Sequence, residues 1–246
     1  MRFMGQQRLQ AVVLKQTGRP FDFGSLITSP EDTVYVGLVG GRDPASIAIR
    51  QAQSFLRFDR RPSYFSQVFL FTGRGEGILE CRVVGADPTR PESCGVIRDR
   101  ARRYADPESW PNKAVVGFTF LPAEGGVEPK ARVKKVLGAA GAASAVRDRY
   151  DLWEMIAGWQ PYLFEPSRTA NPLAGRLAHP GAAYVRYALG FAGIEAAPGA
   201  LDQFDAPEHF WAAAYYWYRA YADPAVGVRV SLWRQIQDQS ASVTVP

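Results

Sequence analysis

The sequence is poor in the residues that build metal sites and disulfide frameworks, with only two cysteines and two histidines among 246 residues. Cys81 and Cys94 flank a proline-containing turn region and are too few for a disulfide framework, so we expect free thiols and a reducing compartment. His179 and His209 lie far apart and form no zinc-ligand pattern. The sequence therefore predicts no metal site and no cofactor.

The sequence also lacks a long apolar run without charges. No segment reaches the roughly twenty apolar residues that a membrane-spanning helix requires. The first eight residues do not lead into an apolar signal core. We therefore expect no membrane span, no signal peptide and a cytoplasmic location.

What is present is the composition of a folded domain, 47% hydrophobic and 22% charged. The 18 prolines and 23 glycines are spread along the chain and form no linker. We expect a single domain over residues 1–246, with an N-terminal extension over 1–30 and a mainly helical half over 127–246.

Local patterns predict an α+β fold in which helices pack on a central antiparallel sheet. Branched and apolar runs bounded by glycine or proline predict strands at 9–15, 33–39, 65–72, 77–84 and 114–121. The third and fourth runs have the spacing of a hairpin, and the sheet is expected to be complete at residue 121. A helix capped by Asp43 is expected to end near residue 58. Further helices are expected at 94–104, 127–146, 150–164, 182–191 and 207–221.

The last of these helices is crowded with aromatic side chains. They surround the helix instead of forming one stripe: Phe210, Trp211, Tyr215, Tyr216, Trp217, Tyr218 and Tyr221. Burial on several sides and a partner surface both remain open, and core packing is favoured because so large an exposed patch would promote aggregation.

The net charge is +5, and four arginines fall within residues 98–103. Such a run can contact phosphate groups, which leaves nucleic-acid binding open. A solvated face is favoured, because Asp99 lies within the run and no aromatic stacking pattern surrounds it.

Two segments carry a resemblance to a known family. Ser66-Gln67-Val68 is similar to a strand that reads Ser-His-Val, and Gly181-Ala182-Ala183-Tyr184-Val185 is similar to a helix that begins with cysteine. In this order they resemble the active-site segments of the circularly permuted NlpC/P60 superfamily of papain-like cysteine hydrolases, the YiiX/YebB type. Further similar segments are Ser46-Ile47-Ala48-Ile49-Arg50, Ile78-Leu79-Glu80-Cys81, Tyr150-Asp151-Leu152, Ala192-Gly193-Ile194 and Ala206-Pro207-Glu208-His209-Phe210.

The resemblance implies a papain-like fold in permuted order whose catalytic chemistry is missing. The family's histidine, acid and cysteine correspond to Gln67, Glu80 and Gly181. Cysteine catalysis needs a thiolate and an imidazole that takes its proton, and neither group stands at these positions. We expect no catalytic residue here, and a hydrogen bond between the Gln67 amide and Glu80 across the hairpin.

A binding or assembly role is therefore expected for the domain. The resemblance places Gln67, Glu80, His179, Gly181 and Tyr184 at a cleft that would hold a peptide or acyl ligand. The composition, rich in alanine, arginine and tryptophan, is typical of GC-rich bacterial or bacteriophage genomes. We expect a protein partner or assembly, as in a phage virion or a secretion machine, and a cytoplasmic or virion-associated location.

One enzymatic alternative stays open, an active peptidase or amidase whose nucleophile is Cys94 or Cys81. Arg98 lies close enough in sequence to Cys94 to lower the pKa of its thiol. Strand alternation directs Cys81 to the face opposite Glu80, where a buried packing role is favoured.

Overall fold

The sheet and its helices are seen in a computed structural model that describes residues 8–12, 23, 31–72, 77–83, 95–122, 126–143, 146–195, 205–220 and 227–236. The strands of the described residues are β1 (Arg8–Val12), β2 (Thr33–Gly40), β3 (Gln67–Phe71), β4 (Gly77–Cys81), β5 (Val96–Arg100), β6 (Asn112–Phe120) and β7 (Gly227–Ile236). The α-helices are α1 (Pro44–Ala52), α2 (Pro129–Ala142), α3 (Val146–Phe164), α4 (Pro180–Gly190) and α5 (Pro207–Ala220).

The strands form one seven-stranded sheet in the order β1-β7-β6-β2-β3-β4-β5. Neighbouring strands are antiparallel except β1 and β7, which run parallel. The predicted α+β class with a largely antiparallel sheet is confirmed.

The β3–β4 hairpin is confirmed, with Phe69 opposite Glu80 and Phe71 opposite Ile78. Alternation divides its side chains between two cores, because successive residues of a strand face opposite sides of the sheet. The larger core contains Cys81 and residues of α2, α3, α4 and α5, and the smaller contains Phe69, Phe71 and Ile78. Cys81 is fully buried, on the face that alternation predicts.

Helix α1 begins as predicted, since the Asp43 carboxylate accepts a hydrogen bond from the Ser46 backbone N–H at 2.9 Å. It ends at Ala52 rather than near residue 58, and a short 3-10 turn, Ser54–Leu56, follows. The buried side chain of Gln53 explains the early end. Its amide donates to the carbonyls of Ile49 and Phe65, which fixes the departing chain against the start of β3.

Two predictions about the sheet are wrong. Residues 94–104 were expected to form a helix, but they contain β5 and a 3-10 turn, Ala101–Tyr104, because pairing with β4 overrides the weak strand propensity of a charged segment. Cys94 lies outside the described residues. The sheet is also not complete at residue 121, since β7 pairs with β6 on one side and β1 on the other.

The aromatic helix α5 has both buried and exposed aromatic side chains. Phe210 and Trp211 are 2% and 6% exposed, whereas Tyr215 and Tyr216 are 38% and 59% exposed. The side chains of residues 217–221 lie outside the described set. No helix in the described part of the chain combines the length and apolar character needed to cross a bilayer.

Candidate functional site

The first turn of α4 presses directly onto the ends of β3 and β4. A Cβ added at Gly181 would lie 3.0 Å from the carbonyl oxygen of Cys81 and 3.3 Å from that of Val68. It would also lie 3.2 Å from Cε1 of His179, the residue that precedes the helix. These separations are tighter than ordinary van der Waals contact, so the close approach of helix and sheet depends on glycine at position 181.

The side-chain amide of Gln67 lies at the same place. Its Nε2 donates a hydrogen bond to the Cys81 carbonyl at 2.9 Å and lies 3.5 Å from Oε2 of Glu80. The expected contact between Gln67 and Glu80 is therefore present but long, and the shorter bond goes to the backbone. Gln67 and Gly181 therefore both approach the Cys81 carbonyl oxygen, and the Glu80 carboxylate lies beside the Gln67 amide.

Glu80 is completely buried and its carboxylate is held by two other side chains. It accepts hydrogen bonds from the hydroxyl of Tyr104 and from the guanidinium of Arg82. Burial, together with the neighbouring Glu80 carboxylate, raises the pKa of Tyr104 well above its ordinary value, so this hydroxyl stays protonated and donates. Glu80 thus accepts from a phenol and an arginine, where the family resemblance implies an imidazole.

Arg82 links Glu80 to a second carboxylate, that of Asp99 on β5. Partial burial lowers the pKa of the Arg82 guanidinium, but the charges and hydrogen bonds of Glu80 and Asp99 outweigh it and raise the pKa overall. For Asp99, burial raises the pKa of the carboxyl, but the hydrogen bonds from Arg82 and the Arg100 backbone N–H, together with the nearby arginine charges, outweigh burial and lower the pKa overall. Both carboxylates therefore have a permanent cationic partner.

His179 is fully buried, and neither of its ring nitrogens has a hydrogen-bond partner among the described residues. Burial lowers the pKa of this imidazole to about 3, so it is neutral at pH 7. Its ring lies edge-on to Trp159, with the centroids 5.4 Å apart. Its backbone holds the helix start in place, because its carbonyl accepts from the N–H groups of Ala182 and Ala183.

Tyr184 lies on α4 but its hydroxyl points toward α2, where it donates to the carbonyl of Ala140 at 3.0 Å. Gln67 lies beside Glu80, and Gly181 lies beside His179, with the Cys81 carbonyl between the two pairs. We call these four residues the buried polar centre, and Tyr184 lies outside it. Every one of these side chains is at most 8% exposed.

Two cavities are formed by described residues, and neither is lined by a residue of the buried polar centre. One, of about 540 Å³, runs along α4 and includes Arg186, Tyr187 and Glu195. The other, of about 370 Å³, lies at β5 and is lined by Arg98, Asp99, Arg100 and Arg102. Among the described residues no three side chains of His, Cys, Asp or Glu lie close enough together to hold a metal ion.

Sequence reasoning did not find Arg82 or Tyr104, the two partners of Glu80. A signal for Arg82 was present, since it follows Glu80 by two positions. The sequence gives no comparable signal for Tyr104. Its hydrogen bond to Glu80 depends on the 3-10 turn that follows β5, in a segment predicted to be helical.

The chain was compared with protein-family models, with curated proteins and with solved structures, and none of the three comparisons found a match.

Proposed function

We propose that this protein is a catalytically inactive papain-like domain of the permuted NlpC/P60 type, retained for a structural role in a protein assembly. The observation that carries the proposal is that Gln67 and Gly181 both approach the Cys81 carbonyl, with Glu80 beside the Gln67 amide. These are the three positions at which the family resemblance places a histidine, an acid and a nucleophilic cysteine. The order of elements agrees, since the hairpin precedes the helix α4 along the chain.

The chemistry of the centre supports a structural role instead of catalysis. The Gln67 amide cannot take a proton near neutral pH, and Gly181 offers no nucleophile. The one imidazole at the centre, that of His179, is neutral and enclosed. The centre thus joins β3, β4 and α4 by hydrogen bonds and close packing.

The burial of this centre also bears on where a partner would bind. Gln67, Glu80 and His179 are covered by other parts of the described chain and cannot contact a partner directly. The partner would therefore bind on the outer surface, and not in the cleft that the family resemblance implies. A phage virion or a bacterial secretion machine, as the composition suggests, is the setting we propose for such an assembly.

The first test measures thiol reactivity. Dilute iodoacetamide is added at pH 7.5, and labelling of Cys81 and Cys94 is followed by mass spectrometry in native and urea-unfolded protein. We expect Cys81 to be labelled only after unfolding, because it is fully buried, and Cys94 to react no faster than an unstructured thiol. Rapid, selective labelling of either cysteine in the native protein would favour the active hydrolase instead.

The second test examines whether the three positions are arranged as in a papain-like enzyme. The double substitution Gln67→His with Gly181→Cys restores both missing groups, and Gly181→Cys alone is the matched control. An imidazole that contacts the new thiol lowers its pKa, and each pKa unit increases the thiolate fraction at neutral pH about tenfold. We expect the cysteine at position 181 to be alkylated at least about tenfold faster in the double variant than in the single variant. Equal rates in two folded variants would show that the positions do not correspond to a catalytic pair.

A further inference from the structure

β5 is the last strand at one side of the sheet, and within the described residues it pairs on one side only, with β4. The backbone N–H and C=O groups on its other side have no strand partner in the described part of the chain, which is the arrangement to which a further strand can add. Residues 98–103, which the sequence suggested would lie around a helix, instead follow this edge and the turn after it.

The strand conformation arranges the arginines in a regular way. Arg98 and Arg100 are both exposed and lie two residues apart, so they project from the same face about 7 Å apart. Arg102, also exposed, follows in the turn. Together with Asp99 these three arginines line the cavity of about 370 Å³.

The one carboxylate in this cavity is already neutralised. Asp99 contacts the guanidinium of Arg82, and the Nη1 atom of Arg103 lies 3.5 Å from its Oδ2. No carboxylate among the described residues pairs with Arg98, Arg100 or Arg102. Within the described residues the edge therefore presents three arginines without a carboxylate partner, beside backbone groups that pair with no strand.

We propose that β5 is the docking site for an extended acidic segment of a partner protein, which adds to the sheet as a further strand. Carboxylates at alternate positions of that segment lie against Arg98 and Arg100, and a third reaches Arg102. This inference goes beyond the proposed function and does not depend on it, because it uses no residue of the buried polar centre.

Strand addition uses both the backbone groups and the arginines of β5, whereas nucleic-acid binding uses the arginines alone. The phosphates of a nucleic acid would pair with the arginines, but they cannot donate hydrogen bonds to the backbone carbonyls of an edge strand. An acidic strand uses the N–H groups, the carbonyls and the guanidiniums together. Charged side chains also protect sheet edges from unwanted pairing, and that protective role predicts that no strand binds.

The test uses a fluorescent seven-residue peptide of alternating glutamate and valine, with binding followed by anisotropy at low salt. Replacing its glutamates by glutamine, or changing the protein by Arg98→Glu with Arg100→Glu, is expected to weaken binding about tenfold or more. Arg168→Glu is the matched control, because the Arg168 side chain is 80% exposed and lies outside β5. It is expected to leave the affinity unchanged, and circular dichroism checks that each variant is folded.

Methylation of backbone amides separates strand addition from simple charge attraction. In one peptide the amides that face β5 are N-methylated, and in a second peptide the other amides are. We expect one pattern to abolish binding and the other to leave it intact, because only one edge of the peptide pairs with β5.

Two outcomes would overturn the proposal. Equal binding of both methylated peptides, together with tighter binding of a single-stranded oligonucleotide, would identify a nucleic-acid surface. Failure of the unmodified peptide to bind at millimolar concentration would leave the arginines with a protective role.

Discussion

The side-chain amide of Gln67 donates a hydrogen bond to the carbonyl oxygen of Cys81 at 2.9 Å. This bond crosses from the start of β3 to the end of β4, at the point where the first turn of α4 makes its closest approach. The Gln67 side chain thus contributes to holding the hairpin together.

Removal of this bond is expected to destabilise the fold. Gln67→Leu leaves the buried Cys81 carbonyl without its side-chain donor, and we expect a loss of about 1–3 kcal/mol in the free energy of unfolding. Urea denaturation measures this loss. Gln51→Leu, on the partly exposed side of α1, is the control and is expected to change stability by less than about 0.5 kcal/mol. Equal effects of the two substitutions would show that the bond contributes nothing.

Gly181→Ala tests the close approach of α4 to the sheet. Alanine normally favours a helix, but here its Cβ would lie 3.0 Å from a backbone carbonyl that cannot move independently. We expect a loss of about 1–3 kcal/mol. In Gly138→Ala, on the exposed side of α2, the added Cβ meets no atom within 4 Å, and a gain of up to about 1 kcal/mol is expected. Thermal and urea denaturation compare the two, and a gain at both positions would contradict the packing.

Glu80→Gln tests the buried ion pair with Arg82. The substitution keeps the shape of the side chain but leaves the guanidinium with the Asp99 carboxylate alone, and we expect a loss of about 3 kcal/mol. The exposed pair Arg168–Glu165, with its atoms 3.7 Å apart, provides the contrast. Glu165→Gln is expected to cost less than about 0.5 kcal/mol in the same denaturation measurement. A loss of similar size at both sites would show that burial of the pair is unimportant.

The buried imidazole of His179 predicts how stability depends on pH. Its pKa is lowered from 6.5 to about 3 by burial, so between these values the unfolded chain binds a proton that the folded protein excludes. This contribution to stability is complete above pH 6.5 and declines as the pH falls toward 3. Between pH 7 and pH 5 it amounts to about 2 kcal/mol, from a slope of about 1.4 kcal/mol per pH unit.

Denaturation of the wild type and of His179→Leu at pH 7 and pH 5 measures this contribution. The variant cannot take up the proton in its unfolded state, so its stability is expected to fall by about 2 kcal/mol less than that of the wild type over this interval. Parallel changes in both proteins would mean that His179 is protonated in the folded state.

The parts of the fold that sequence reasoning found are those determined over a short distance along the chain. The β3–β4 hairpin has two apolar runs separated by four residues, and α1 has its own capping residue, Asp43. The contact between Gln67 and Glu80 follows from this hairpin, since the two residues lie near each other on paired strands.

The parts that it missed depend on distant pairing. The segment Arg98-Asp99-Arg100 has weak strand propensity and becomes β5 because β4 lies beside it. The sequence of β7 does alternate, with apolar residues at 228, 230 and 232 and polar residues at 229 and 231, and Val230 and Leu232 are buried. Its place between β1 and β6 pairs residues 8–12 with residues 227–231, far apart in sequence, and no local signal specifies that.

The parallel pairing of β1 with β7 has a consequence for synthesis of the protein on the ribosome. β1 is made before the other described strands and its partner β7 is made after them, so β1 lacks this neighbour while the segment between them is translated. β6 likewise has one open side until β7 arrives. The sheet can therefore be completed only after β7 has emerged, and a nascent chain that stalls before residue 227 leaves β1 without this partner and one side of β6 open to chaperones.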